Sequence, residues 1–174
     1  SHLMHYYAAP ADQQLLLASS NGFGFLAKVG DMVSRLKAGK SFMTIDTGAV
    51  PLAPMPVLPN ATQVACLSSG GRLLVFGMDE MKTLSGGGRG VILMALDDKE
   101  TLVQALAIDP AGVVLIGTGR GGKVQDDTLS YAGLAPHIGK RDRKGRAPDT
   151  KLKVGPELRP LLGGVRAGDR SVRF

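Results

Sequence analysis

Three groups of residues in this sequence have types and spacings that could do chemistry. The first is Gly117-Thr118-Gly119-Arg120-Gly121-Gly122, a G-x-G-x-x-G run directly after an apolar stretch. Such a loop binds a pyrophosphate when a helix follows and aims its N-terminus at the anion. Here Lys123-Val124-Gln125-Asp126-Asp127 follows, which does not read as a helix. Nor does an acidic residue in an obvious second strand stand roughly 20 residues on. The second group, Gly39-Lys40-Ser41, could close a P-loop, but Ser34 stands where that motif needs its first glycine. Both places are read as turns. The third group is basic. Arg35, Lys37 and Lys40 come first, then Lys82 and Arg89. Lys140, Arg141, Arg143, Lys144 and Arg146 follow, continuing to Lys151 and Lys153. Lysines and arginines beside glycines suit phosphate contacts, which neutralise charge without reading bases.

No catalytic, cofactor-binding or metal-binding residue is expected. His2 and His5 are terminal, and His137 has no ligand or triad partner at a recognisable spacing. Asp79-Glu80 and Asp97-Asp98 fall in turns, where solvated acids are ordinary. The lone cysteine, Cys66, leaves no internal disulfide or multi-cysteine zinc site, and its neighbours Val64, Ala65 and Leu67 predict a buried thiol. No apolar run approaches the roughly 18–20 residues of a membrane helix. No secretory signal is present, so the expected location is cytoplasmic, and Asn60-Ala61-Thr62 is then idle as a glycosylation pattern. Ser1-His2-Leu3-Met4 reads as a cloning remnant, residues 1–4.

The chain has 174 residues and a net charge of +6. That charge is uneven. Residues 1–119 carry 8 basic and 9 acidic side chains, whereas residues 120–174 carry 13 and 6. Hydrophobic residues at 44% suffice for a packed core rather than a disordered chain.

The apolar residues come in short runs. Among them are Leu15–Ala18, Phe23–Leu26, Phe42–Ile45, Val64–Leu67, Leu73–Phe76, Val91–Met94, Leu102–Ile108 and Val113–Ile116. These are strand lengths, and Asn21-Gly22 and Gly70-Gly71 between them suit tight hairpins. No sustained helical period is evident, so the fold is expected to be all-β. A shift of about 49 residues aligns Ser19–Gly22 with Ser68–Gly71, Gly39-Lys40 with Gly88-Arg89, and Phe42–Ile45 with Val91–Met94. A looser third copy begins at Val113 and enlarges the basic loop. Such a period, with about four strands per unit, is a propeller-blade signature. The expectation is about three four-stranded blades (about 13–58, 62–108 and 112–161) in an open arc within a domain 5–162. A basic tail, 163–174, follows.

Equivalent loops on stacked blades share one rim. Arg35, Lys37, Lys40, Lys82, Arg89, Lys140, Arg141, Arg143, Lys144 and Arg146 would then form a curved basic band. Such a band suits double-stranded DNA, since contacts along an arc offset the cost of bending. A protein-binding propeller and an enzyme using Gly117–Gly122 remain the alternatives.

The segment Leu16-Leu17-Ala18-Ser19-Ser20-Asn21-Gly22-Phe23-Gly24-Phe25 resembles the C-terminal domains of bacterial topoisomerase IV A subunits, within the gyrase A and topoisomerase IV A family. So do Ser34-Arg35-Leu36-Lys37-Ala38-Gly39-Lys40 and Gly139-Lys140-Arg141-Asp142-Arg143-Lys144-Gly145. The resemblance runs from about Asp12 to about Leu161. It implies an open or broken β-pinwheel that binds and bends DNA, positioning it for supercoil relaxation and decatenation during chromosome segregation. Gyrase A's Gln-rich box has no match; Ser85–Val91 lacks its glutamine and most of its basic residues. A gyrase-type wrapping domain is therefore the alternative within the family. Catalysis would lie outside this chain, and Tyr6, Tyr7 and Tyr131 are not the family's catalytic tyrosine. The partners that the resemblance implies are the rest of the A subunit, a B subunit using ATP and Mg, and a chromosome condensation protein. It also implies association with the nucleoid.

Overall fold

The computed structural model describes residues 9–150, 152, 154–162 and 165–166. His2, His5, Tyr6, Tyr7, Lys151, Lys153 and all of the 163–174 tail but Val165–Arg166 lie outside the described residues. The strands are β1 (Gln14–Ala18), β2 (Phe23–Lys28), β3 (Met55–Pro56), β4 (Gln63–Ser68), β5 (Leu73–Gly77) and β6 (Val91–Ile92). They continue with β7 (Leu102–Ile108), β8 (Gly112–Thr118), β9 (Val124–Ser130), β10 (Val154–Leu162) and β11 (Val165–Arg166). Among the described residues they form three antiparallel sheets, ordered β3-β1-β2-β6, β5-β4-β7 and β11-β10-β8-β9.

Each repeat opens with a hairpin and adds a later strand to the outer edge of its first strand. β1–β2 turns through Asn21-Gly22 and β4–β5 through Gly70-Gly71, with Gly22 at φ 90° and Gly71 at φ 80°. On the far edge of the first two hairpins the following repeat supplies the partner. β6, from the second repeat, pairs with β2 through Gly24↔Val91 and Phe23↔Ile92. The third repeat makes the same approach to β5, but only through isolated bridges, Leu73↔Arg146 and Val75↔Ile138. The second sheet therefore has three strands and two bridges in place of four strands. Arg146 is followed by Ala147-Pro148, and a proline has no N–H with which to extend a ladder.

The strands read as unbroken apolar runs because both faces of the first two sheets are covered. Leu16, Ala18 and Leu26 of the first sheet meet Val64, Cys66, Leu74, Phe76 and Ala105 of the second in one cluster. Ala65, Leu67, Leu73, Val75, Leu106 and Ile108 face Val113, Leu115, Leu129 and Leu158 of the third sheet in another. Each fully buried Val, Leu, Ile or Phe among them contributes roughly 1.5–3 kcal/mol.

The outer face of the first sheet, with Leu15, Leu17, Phe25 and Ala27, is closed by a helix, α1 (Val29–Lys37). The apolar pattern of the sequence does not predict this helix. Its stripe of Val29, Met32, Val33 and Leu36 has helical spacing but spans only two turns and includes Gly30. A segment that short is held by packing rather than by its own propensity. Phe42–Ile45, expected as a strand, makes one bridge at Met43, while Phe42 turns into the α1 cluster.

The exchange depends on two glycines. A Cβ on Gly90 would lie 2.2 Å from the Gly24 carbonyl oxygen, and one on Gly145 would lie 2.5 Å from that of Leu73. Both glycines have positive φ, 88° and 71°. Gly90→Ala and Gly145→Ala should each destabilise the fold by about 1–3 kcal/mol in urea unfolding. Gly86→Ala, whose Cβ would meet nothing within 4 Å, should leave the midpoint unchanged.

Candidate nucleic-acid interface

The basic loops of the second and third repeats sit at equivalent places, each against the preceding repeat. In the second, Gly88 N–H donates to Phe42 O and Thr44 N–H to Gly88 O, both at 2.9 Å. In the third, Asp142 N–H donates to Leu93 O at 2.9 Å and Ala95 N–H to Arg143 O at 3.0 Å. Asp142 has φ 71° where the earlier loop has Gly87 at 73°. Aspartate is among the few residues that tolerate this conformation. The first loop leaves α1 through Gly39 at φ 75°, with Gly39 N–H on Leu36 O and Lys40 N–H on Arg35 O. Those amides close the helix C-terminus, the end that repels anions, so Gly39-Lys40-Ser41 cannot cradle phosphates as a P-loop does.

Eight of the ten basic residues singled out from the sequence are exposed: Lys37, Lys40, Lys82, Arg89, Lys140, Arg143, Lys144 and Arg146. Arg35 and Arg141 are half-buried, each with a buried Nε that lacks a partner. Arg141 is committed to the joint between repeats. Its guanidinium donates to Ile92 O at 2.6 Å and its backbone N–H to Glu80 Oε1 at 3.0 Å. Arg89 lies 4.1 Å over the Phe23 ring and pairs with Asp46 at 2.9 Å. Lys144 pairs with Asp97 at 2.7 Å.

Arg72 supports the third loop from beneath, and no sequence motif points to it. Its guanidinium binds the Glu100 carboxylate, donates to Ala95 O at 3.1 Å, and donates to the Lys144 carbonyl. Its partners lie far away in sequence, which is why local spacing is silent about them. Glu100 also accepts from the Ser68 hydroxyl at 2.7 Å and from Asp97 N–H at 2.8 Å. The Arg72 hydrogen bond is the main cause that holds the Glu100 carboxyl down at about 2. His137 is buried in the same joint, with Nδ1 3.3 Å from Leu73 O. Burial lowers its pKa.

Gly117–Gly122 forms a hairpin turn. Gly119 N–H donates to Lys123 O at 2.9 Å, and strand β9 follows where a nucleotide site needs a helix. Cys66 is fully buried, which pushes its thiol up to about 12. Among the described residues no group of three or more His, Cys, Asp or Glu could hold a metal ion. Among them, too, no helix is long and apolar enough to cross a membrane.

No family model matches the chain. Sequence relatives exist, however. The chain is 34% identical over 140 residues to the A subunit of DNA topoisomerase 4 from Neisseria gonorrhoeae, covering 78% of this chain and 18% of that protein. It is 34% identical over 155 residues to the corresponding protein of Haemophilus influenzae, covering 86% and 20%. The Escherichia coli ParC C-terminal domain superposes with a TM-score of 0.71 at 24% identity, over 86% of this chain and 61% of that one. A gyrase A C-terminal domain superposes at 0.61 with 20% identity, over 82% and 47%. Small sheets that stack and lend edge strands to one another, with basic loops in register, thus define a β-pinwheel of the kind found at the C-termini of topoisomerase A subunits. Within that group the chain belongs to the family of DNA topoisomerase 4 A subunits rather than to gyrase A. It spans 18–20% of the length of these two relatives.

Two pH effects follow from the joint. Glu100 has its folded pKa depressed from 4.5 to about 2, so its stabilisation is complete above 4.5 and lost as pH falls toward 2. Glu100→Gln should remove that part of the acid-induced loss in thermal melts. Burial holds the folded His137 pKa below 6.5, so its contribution is complete above 6.5 and declines as pH falls below it. His137→Asn should flatten the decline of the melting temperature as pH falls below about 6.5.

Proposed function

We propose that this chain binds duplex DNA along the rim formed by its basic loops and bends it, as the DNA-positioning domain of a type IIA topoisomerase. The observation that carries this reading is the recurrence of one Gly/basic loop at one place on consecutive repeats. Glycine keeps the loops free of bulk so that phosphates can approach, and exposed lysines and arginines neutralise them without reading sequence. Contacts spread along successive blades favour a curved path, and bending is the cost they offset.

In the whole protein this domain serves supercoil relaxation and decatenation without breaking a bond itself. Cleavage belongs to another part of the A subunit, and ATP and Mg to the B subunit. The chain itself uses no cofactor. The proposed partners are the rest of the A subunit, the B subunit, and a chromosome condensation protein. The nucleoid is the proposed location.

Salt-titrated binding to a duplex of about 40 base pairs tests the reading. Neutralising about five phosphates gives a log–log slope near −4.5. End-to-end energy transfer on the same duplex should report bending. Changing Lys140, Arg143 and Arg146 together to alanine should weaken binding to every sequence alike and flatten the slope by about 2.7. A flat salt response in the wild type sinks the proposal. A loss confined to one sequence replaces phosphate binding with base readout.

A further inference from the structure

Two exposed ion pairs occupy the same place in successive joints. Asp46 of the first repeat holds Arg89 of the second at 2.9 Å, and Asp97 of the second holds Lys144 of the third at 2.7 Å. Each cation immediately precedes the positive-φ glycine, Gly90 or Gly145, that seats its loop on the previous sheet. Each carboxylate stands two residues after the amide, Thr44 or Ala95, that donates to the incoming loop. Each is also steadied from the side. Asn21 Nδ2 donates to Asp46 Oδ2 at 2.8 Å, and the Arg72 guanidinium lies 4.0 Å from Asp97 Oδ2. The cation is Arg in one joint and Lys in the other, and the side support is Asn in one and Arg in the other. What recurs is a carboxylate opposite the loop cation, so the pairing is a property of the joint.

We propose that Asp46 and Asp97 are latches that occupy these two rim cations in the free protein and are displaced by DNA phosphates. This rests on the reading of the rim as a DNA-binding surface. The side chains are 37% and 51% exposed in the first pair and 57% and 65% in the second. Exposed pairs of this kind are weak, so a phosphate can exchange for the carboxylate. The displaced carboxylate then stands close to the incoming phosphate and repels it. Each latch therefore lowers affinity and speeds release. Phe23 lies beneath Arg89 and keeps the guanidinium on the rim once Asp46 lets go.

The test compares Asp46→Asn and Asp97→Asn, singly and together, with Asp79→Asn plus Asp98→Asn. Asp79 and Asp98 are exposed and have no ion pair among the described residues, so the second pair of changes matches the charge without touching a latch. The readouts are duplex affinity at about 0.1 M salt and the salt needed for elution from heparin. Opening both latches should tighten duplex binding about tenfold and steepen the slope by up to about 1.8, against about twofold or less for the control. Heparin elution should shift to higher salt by more than in the control. Equal shifts in latch and control variants overturn the proposal. So does weaker binding by the latch variants at an unchanged melting temperature, because the carboxylates would then be aligning the loops. If the wild type binds no duplex, the DNA reading falls, and the heparin comparison still decides the latches.

Discussion

Strands such as Val64-Ala65-Cys66-Leu67 and Leu73-Leu74-Val75-Phe76 are apolar on both faces, so a sheet built from them cannot stand alone in water. Every other feature answers to that constraint. Alternate residues of one strand enter different clusters, Val64 and Cys66 toward the first sheet, Ala65 and Leu67 toward the third. Stacking thus buries both faces of the middle sheet, and α1 closes the outer face of the first. The third sheet is more polar at its far edge, where β9 carries exposed Gln125 and Asp126 and buries Leu129.

Stacking alone would let the sheets slide. The exchanged backbone pairing fixes them, because Val91-Ile92 on β2 and Arg146 on Leu73 give each joint a hydrogen-bond register. Polar groups then lock the second joint. Arg72 links Glu100 to the carbonyls of Ala95 and Lys144, and losing either partner of a pair buried this well would strand the other's charge. The same packing sets the loops. They are held by their backbones on the preceding repeat, which leaves most of their lysines and arginines facing outward. A rim of charge is therefore a consequence of how the core is closed.

Counting basic residues overstates what the rim presents. Arg141 stands between Lys140 and Arg143 in the loop's basic run, yet it is drawn under the loop to Ile92 O, while Arg89 and Lys144 meet carboxylates from the repeat before. Charge counted along a chain includes neighbours in sequence and omits neighbours in space, and here the acids that matter come from another repeat. Arg72 shows the reverse error. It sits in an ordinary hairpin after Gly70-Gly71, and only folding brings Glu100 to it.

Phe42–Ile45 is no strand, and β9 and β10 gave no apolar run, but most of the buried core strands, the hairpin turns, the repeat and the family were legible from the order of residues. These are carried by short-range features: apolar runs of strand length, glycines where a turn needs positive φ, and phrases repeated at a fixed interval. The same features argue against a nucleotide site at either glycine motif, since each lacks a neighbouring residue that its chemistry requires. Folding in three dimensions was needed to settle which repeat lends its strand to which sheet, why α1 forms over two turns, and which basic side chains are bound to carboxylates. Those outcomes depend on contacts between residues far apart in the chain, whose energies arise only when one sheet is laid against the next.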